Sequence, residues 1–246
     1  MKLFIYINFI ALLFSVSIDT QNNANDSFDE ILNTYVDSSG NVNYKGILDN
    51  PYNFNQYFDF IESVSPRNHP EYFKTEKDKI AYWINAYNAL TIKIMIENPE
   101  VESILDIFFS YAIFKKKHLV GGEKISLEDI EHKILRKKYK DPRIHFAINC
   151  ASISCPPLGD RIVKGETLDA QLDKKATEFI NNTSNVHIDH KEKRIYLNKI
   201  FKWFKKDFGN VREYICSYLA DGNNCSNISS YRISYFDYNW ESNRQQ

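Results

Sequence analysis

Apolar residues recur along the chain with two periods, one helical and one strand-like. The spacing predicts a central helix over 76–97. There Ile80, Trp83, Ile84, Tyr87, Leu90, Thr91, Ile94 and Met95 fall on more than one side, the pattern of a helix buried within a domain. Further helices are expected over 28–36, over 53–64, over 168–181, over 199–208 and over 211–219. Another, over 127–137, is opened by Ser126 and Asp129 at capping-box spacing. Alternation of period two predicts a hairpin of 186–189 with 194–197, a second hairpin turning at Gly121-Gly122, and an aromatic closing strand over 231–240. Residues 102–114 are apolar and fit either period.

The segment around which the rest is arranged is HFAINCASISCPPL, 145–158. Residues 143–150 alternate as a strand would, with His145, Ala147 and Asn149 on one face and Phe146, Ile148 and Cys150 on the other. Small polar residues then lead into Cys155-Pro156-Pro157. Proline suits the first position of a helix, so Cys155 is expected at an N-cap, where the helix dipole favours a thiolate. A thiol of lowered pKa, a histidine as base and the Asn149 amide as orienting group or oxyanion donor make up the outfit of a cysteine nucleophile. The competing reading makes Cys150 and Cys155 partners in a disulfide.

Length and charge narrow the setting. The sequence has 246 residues and a net charge of −1, which fits one domain and offers no electrostatic footprint for nucleic acid. An aromatic content of 15% with only 8 glycines argues for a well-packed body. Residues 1–20 read as a secretory signal peptide, 21–27 as a flexible lead-in and 28–246 as a single domain. The mature protein is therefore expected to be secreted or periplasmic, without a stable membrane span after cleavage. Export makes disulfides possible, and the local pairing, Cys150 with Cys155 and Cys216 with Cys225, is the expected one. No cofactor and no metal are expected, because a zinc site would need His118, His132 or His187 to join His145 and the cysteines at spacings that match no closed four-ligand set.

Other polar residues fall in unusual places. Asn85 and Asn88 lie on one face of the central helix, either tying down neighbouring backbone or lining a pocket beside His145. Asp207, in an otherwise aromatic and basic helix, could pair with His145 or Arg143 and orient the imidazole, or make a plain surface ion pair with a lysine. Arg143 and Trp203 are grouped with the pocket. Glu131, His132 and Arg136 are expected on a solvated or salt-bridged helix face, although a Glu–His–Arg group next to the central segment could take part in the chemistry.

The motifs IAYWINAYNALTI (80–92), ISLEDIEHKILR (125–136), DPRIHFAINCASISCPPL (141–158), LNKIFKWFKKDFG (197–209) and YRISYFDYNW (231–240) resemble those of the domain-of-unknown-function family numbered 547, found in bacteria and eukaryotes. The resemblance spans nearly all of the mature chain. Eukaryotic members can lack the second cysteine of the central motif, which makes His145 and Cys150 the firmer site candidates. The fold expected is α+β and helix-rich, with a small sheet carrying the His/Cys strand. The function expected is a cysteine- and histidine-dependent hydrolase or acyltransferase acting on a peptide or amide-like substrate. The alternative is a non-catalytic secreted module, with structural disulfides, that binds a peptide or small molecule.

Overall fold

Thr75 and Asp78 close a capping box at the start of α4 (Glu76–Ile96). The Thr75 hydroxyl accepts from the Asp78 N–H at 3.1 Å and the Asp78 carboxylate from the Thr75 N–H at 2.9 Å. Every residue of α4 from Ala81 to Ile92 is buried, as its all-round apolar pattern predicts. These features come from a computed structural model, which describes residues 20–107, 110–220, 225 and 228–245. The leader expected over 1–20 lies, but for its last residue, outside the described residues.

Around α4 pack α1 (20–35), α2 (Tyr44–Asp49) and α3 (Tyr52–Ser63), with Phe28 of α1 stacked on Tyr57 of α3 at 4.3 Å. Residues 21–27 are not a lead-in: they are turns of α1, and Ala24 and Ser27 are buried there. The polar, asparagine-rich composition hid those inward positions.

Strands β1 (Lys117–Val120) and β2 (Glu123–Ser126) form the expected hairpin. Its turn residues, Gly121 and Gly122, both have positive φ (58° and 75°), the geometry for which glycine is needed in a two-residue turn. Ser126 and Asp129 exchange hydrogen bonds and start the next helix, a π-helix over Asp129–Tyr139. Such wide helices are commonly single-turn bulges, so this run of 11 residues is unusual.

The second half builds its own core. Helix α5 (Leu168–Asn181) covers the hairpin β3 (Val186–Asp189) and β4 (Arg194–Leu197), and β5 (Arg232–Tyr235) adds to β4 in parallel. The helix predicted over 199–208 is divided into α6 (Ile200–Trp203) and α7 (Lys205–Phe208), because Phe204 leaves helical geometry at φ −107°, ψ 25°. Helix α8 (Val211–Cys216) follows.

The fold is α+β, but no sheet carries the His/Cys segment. Pro142–Phe146 is a 3-10 helix, started by Pro142 and by the Asp141 carboxylate, which accepts from the Arg143 N–H at 2.9 Å; the chain then runs on irregularly. Residues 144–149 are all buried because this stretch is the seam between two cores. Ile144, Ala147, Ile148 and Ala151 face the α4 core, while Phe146 enters the core of α5 and the three-stranded sheet. The alternation that read as two faces of a strand is a division between two cores. Among the described residues no helix is long and apolar enough to cross a membrane.

Candidate active site

Beyond the 3-10 helix the seam is held by side-chain amides. Asn88 of α4 donates to Ala147 O (3.0 Å) and accepts from the Asn149 N–H (2.9 Å). Asn85 makes the same two-way clamp on Val163, at 2.8 and 2.9 Å. Asn149 in turn donates to Pro156 O and accepts from the Ala151 N–H, at 2.9 and 2.8 Å. All three amides are buried and committed to backbone, and none of them lines the cavity that His145 and Cys150 share. Asn149's clamp holds Ala151 at φ 60°, a left-handed conformation that costs a non-glycine residue energy and turns the chain sharply after Cys150.

The closing segment straps this turn. Ile153 N–H donates to Glu241 O (2.9 Å) and Asn243 N–H to Ala151 O (3.1 Å), which brings Tyr238 against Cys150. A cavity of about 420 Å³ opens there, lined among others by Tyr87, Glu131, His132, His145, Cys150 and Cys155, with Trp203, Phe204, Tyr238 and Trp240 completing the walls.

Cys150 and Cys155 are free thiols, contrary to the expected disulfide, whereas Cys216 and Cys225 are bonded. The Cys155 sulfur accepts from the backbone N–H of Cys150 at 2.9 Å. No helix follows Cys155, since Pro156 and Pro157 continue in extended chain, so the N-cap argument fails. Burial, helped by the neighbouring Cys150, pushes the Cys155 thiol well up. Cys150 behaves in the opposite way. Burial opposes its ionisation, yet hydrogen bonds from Cys155, from Ser152 (3.1 Å) and from Tyr238 (3.4 Å) prevail and bring its thiol down to about 7.

His145 also lines the cavity, stacked on Phe204 at 4.1 Å and 3% exposed. Its Nε2 is hydrogen-bonded to Asp207 at 2.7 Å, and Asp207 also accepts from Arg136 at 2.5 and 3.1 Å. Arg136 reaches on to His132 Nδ1 at 2.9 Å. The His145 bond, with Arg136, holds the Asp207 carboxyl well below the usual range. Burial outweighs Asp207 at His145 and lowers its pKa, so the imidazole is neutral and Nδ1 is the nitrogen it can offer a substrate or a water. Asp207 thus pairs with His145 rather than with a neighbouring lysine. Arg143 does not join the cavity: Asp141, Asp169 and Asp173 hold it at 2.6, 2.8 and 2.9 Å.

Glu131 takes the less favoured of its two expected places, turned inward beside the central segment. Its side chain is 14% exposed, shares a hydrogen bond with buried Tyr87 of α4, and lines the cavity. Burial pushes its carboxyl up to about 8, against the pull of Arg136 and of the Tyr87 hydroxyl. The signal was there: Leu127, Ile130, Glu131, Ile134 and Leu135 make the i, i+3, i+4, i+7, i+8 stripe of an inward face, with an acid in one of its positions. Tyr238 and Trp240 could not be found this way, because only the tertiary strap brings them to Cys150.

Residues 71–180, which contain α4, the π-helix and both free cysteines, match the model of a family described as "Protein of unknown function, DUF547". The match covers a little under half of the chain, and over that segment the chain is similar to this family. The matched segment carries Glu131, His145, Cys150 and Cys155, whereas the cavity residues Trp203, Phe204, Tyr238 and Trp240, and Asp207 behind His145, follow it in sequence. No curated protein and no solved structure matches the chain.

Proposed function

We propose that this protein is an exported, thiol-dependent hydrolase or acyltransferase acting on an amide-like substrate, with Cys150 as nucleophile. The observation that carries the reading is the free Cys150 thiol, hydrogen-bonded by Cys155, Ser152 and Tyr238 and brought to about 7, in a cavity it shares with a protonated Glu131 and a neutral His145. Two titratable groups pushed in opposite directions within one cavity divide the acid and nucleophile roles between them.

In the reaction the Cys150 thiolate adds to the substrate carbonyl carbon. As the tetrahedral intermediate collapses, the C–N bond breaks and the departing amine takes the proton from Glu131, leaving a thioester and a carboxylate. A water then attacks the thioester carbon and gives its proton to Glu131, releasing the acid product and the Cys150 thiolate. An acceptor amine in place of water completes an acyl transfer. His145, fixed by Asp207, presents Nδ1 to orient the attacking group.

Export is supported by the leader-like residues 1–20 and by the Cys216–Cys225 disulfide, since such bonds persist in oxidising compartments. The test is differential alkylation of the secreted protein, with the labels located by mass spectrometry. Cys150 labels rapidly at pH 7 while Cys216 and Cys225 label only after reduction. A Cys150 that is bonded, or that reacts no faster than a simple thiol, overturns the enzyme reading in favour of a binding module.

A further inference from the structure

The cavity's mouth holds a feature that the acyl-transfer chemistry does not use. Trp203, Tyr238 and Trp240 form a ring cluster with centroids 4.8, 5.8 and 4.5 Å apart, and Trp203 is 44% exposed. The cluster is one hydrogen bond from the nucleophile, through the Tyr238 hydroxyl on the Cys150 sulfur. Across the cavity lie Phe204, Phe114, Ile148 and Ile200. The charges around it are already paired: Lys115 faces Glu128 at 3.8 Å, and His145, Asp207 and Arg136 satisfy one another. A volume of 420 Å³ falls within the roughly 300–1,000 Å³ of small-molecule pockets.

From this arrangement we infer that the site selects an uncharged amide carrying an aromatic ring, the ring stacking on Trp203 and its neighbours while the carbonyl reaches Cys150. The inference rests on the thiol reading above and names its substrate class. An anionic group would meet the Cys150 thiolate with no unpaired cation among the described residues to offset it, and a cationic one would hold that thiolate in an ion pair instead of leaving it free to attack. A flat apolar ring finds both faces and edges to contact.

The test compares alkylation of Cys150 by chloroacetamide, N-benzylchloroacetamide and N-(cyclohexylmethyl)chloroacetamide. In each case the sulfur attacks the CH2 carbon, a C–S bond forms and chloride leaves, so only the appended group differs. The benzyl probe reacts roughly tenfold faster than chloroacetamide and clearly faster than the cyclohexyl probe. Trp203→Leu brings the benzyl advantage close to one, and Trp203→Phe restores most of it. Equal rates for benzyl and cyclohexyl probes, or an advantage that survives Trp203→Leu, overturn the inference. Should chloroacetamide itself react with Cys150 no faster than with a simple thiol, the thiol reading falls instead. The ring site is then judged by titrating Cys150→Ser with N-benzylacetamide and following tryptophan fluorescence: saturable quenching lost in Trp203→Leu supports it, and no quenching ends it.

Discussion

The two cysteine pairs are close to each other in spacing and opposite in state. Cys216 and Cys225, 9 apart, close a disulfide at the end of α8, next to the second core. Cys150 and Cys155, 5 apart in sequence, remain thiols in the seam between the cores, where Cys155 spends its sulfur on the Cys150 N–H. Proximity in sequence brings two sulfurs together in both places. What separates them is the surrounding hydrogen bonding, which at Cys150 stabilises an ion instead of a bond. The contrast teaches that a short Cys–Cys spacing in a chain with a leader does not by itself specify a structural bridge.

The largest expected effect breaks the contrast at its reactive member. With iodoacetamide at pH 7, Cys150→Ala lowers total labelling of the native protein by about a hundredfold, because Cys155 is buried with a raised pKa. Comparable labelling of Cys155 in that variant would mean that the two thiols are equivalent and the assignment to Cys150 is wrong.

Removing the other pair acts on stability. Cys216→Ser with Cys225→Ser costs about 2–3 kcal/mol in denaturant unfolding, as expected for a short closed loop. The Cys150 labelling rate stays as in the parent protein. A large drop in that rate would show that the disulfide supports the site and that the two pairs are coupled through the second core.

Glu131 ranks next, and its effect is one of pH. Its folded pKa of about 8 lies above the ordinary carboxylate value, so the stability gained from its neutral form is complete below about pH 4.5 and is lost as pH rises through 8. Glu131→Gln keeps the neutral form at every pH. The variant therefore gains on the parent by roughly 2 kcal/mol between pH 5 and pH 7, read as a growing difference in unfolding free energy. Taking the difference cancels His145 and His132, whose lowered pKa values act in the opposite sense over part of that range. A difference independent of pH would place Glu131 in solvent and remove it from the proposed mechanism.

Much of this architecture was legible from periodicity. The buried helix α4, the hairpin of β3 and β4 and the amphipathic α5 stand where their patterns put them, because each depends on one face and one core. The central segment misled for a physical reason: it is shared between two cores, and a short apolar run buried on all sides carries no periodic mark of its class. The site was half visible. His145, Cys150, Asp207 and Trp203 were picked out by residue type and do meet around one cavity, Asp207 through its bond to His145. Asn85, Asn88, Asn149 and Arg143 were picked out by the same logic and serve the backbone or a carboxylate cluster, because a buried polar group near a site is most often there to satisfy another buried polar group.

The smallest effect is the sharpest test of why the two pairs differ. If donors to sulfur keep Cys150 an ion, Tyr238→Phe, which deletes the donor at 3.4 Å, must raise its pKa while leaving the ring stack in place. A rise of about half a unit to one unit, toward the ordinary thiol value near 8.5, is the size expected for one donor among three. Because a more basic thiolate is also a better nucleophile, the labelling rate falls only about one-and-a-half- to threefold at pH 6.5. Above pH 9, where both proteins are fully ionised, the variant reacts slightly faster than its parent. That crossing of the two pH–rate curves is the signature of a lost hydrogen bond to the thiolate. A variant slower at every pH would point to a damaged cavity, and one with an unchanged curve would leave Cys155 and Ser152 as the groups that hold Cys150 apart from the bonded pair.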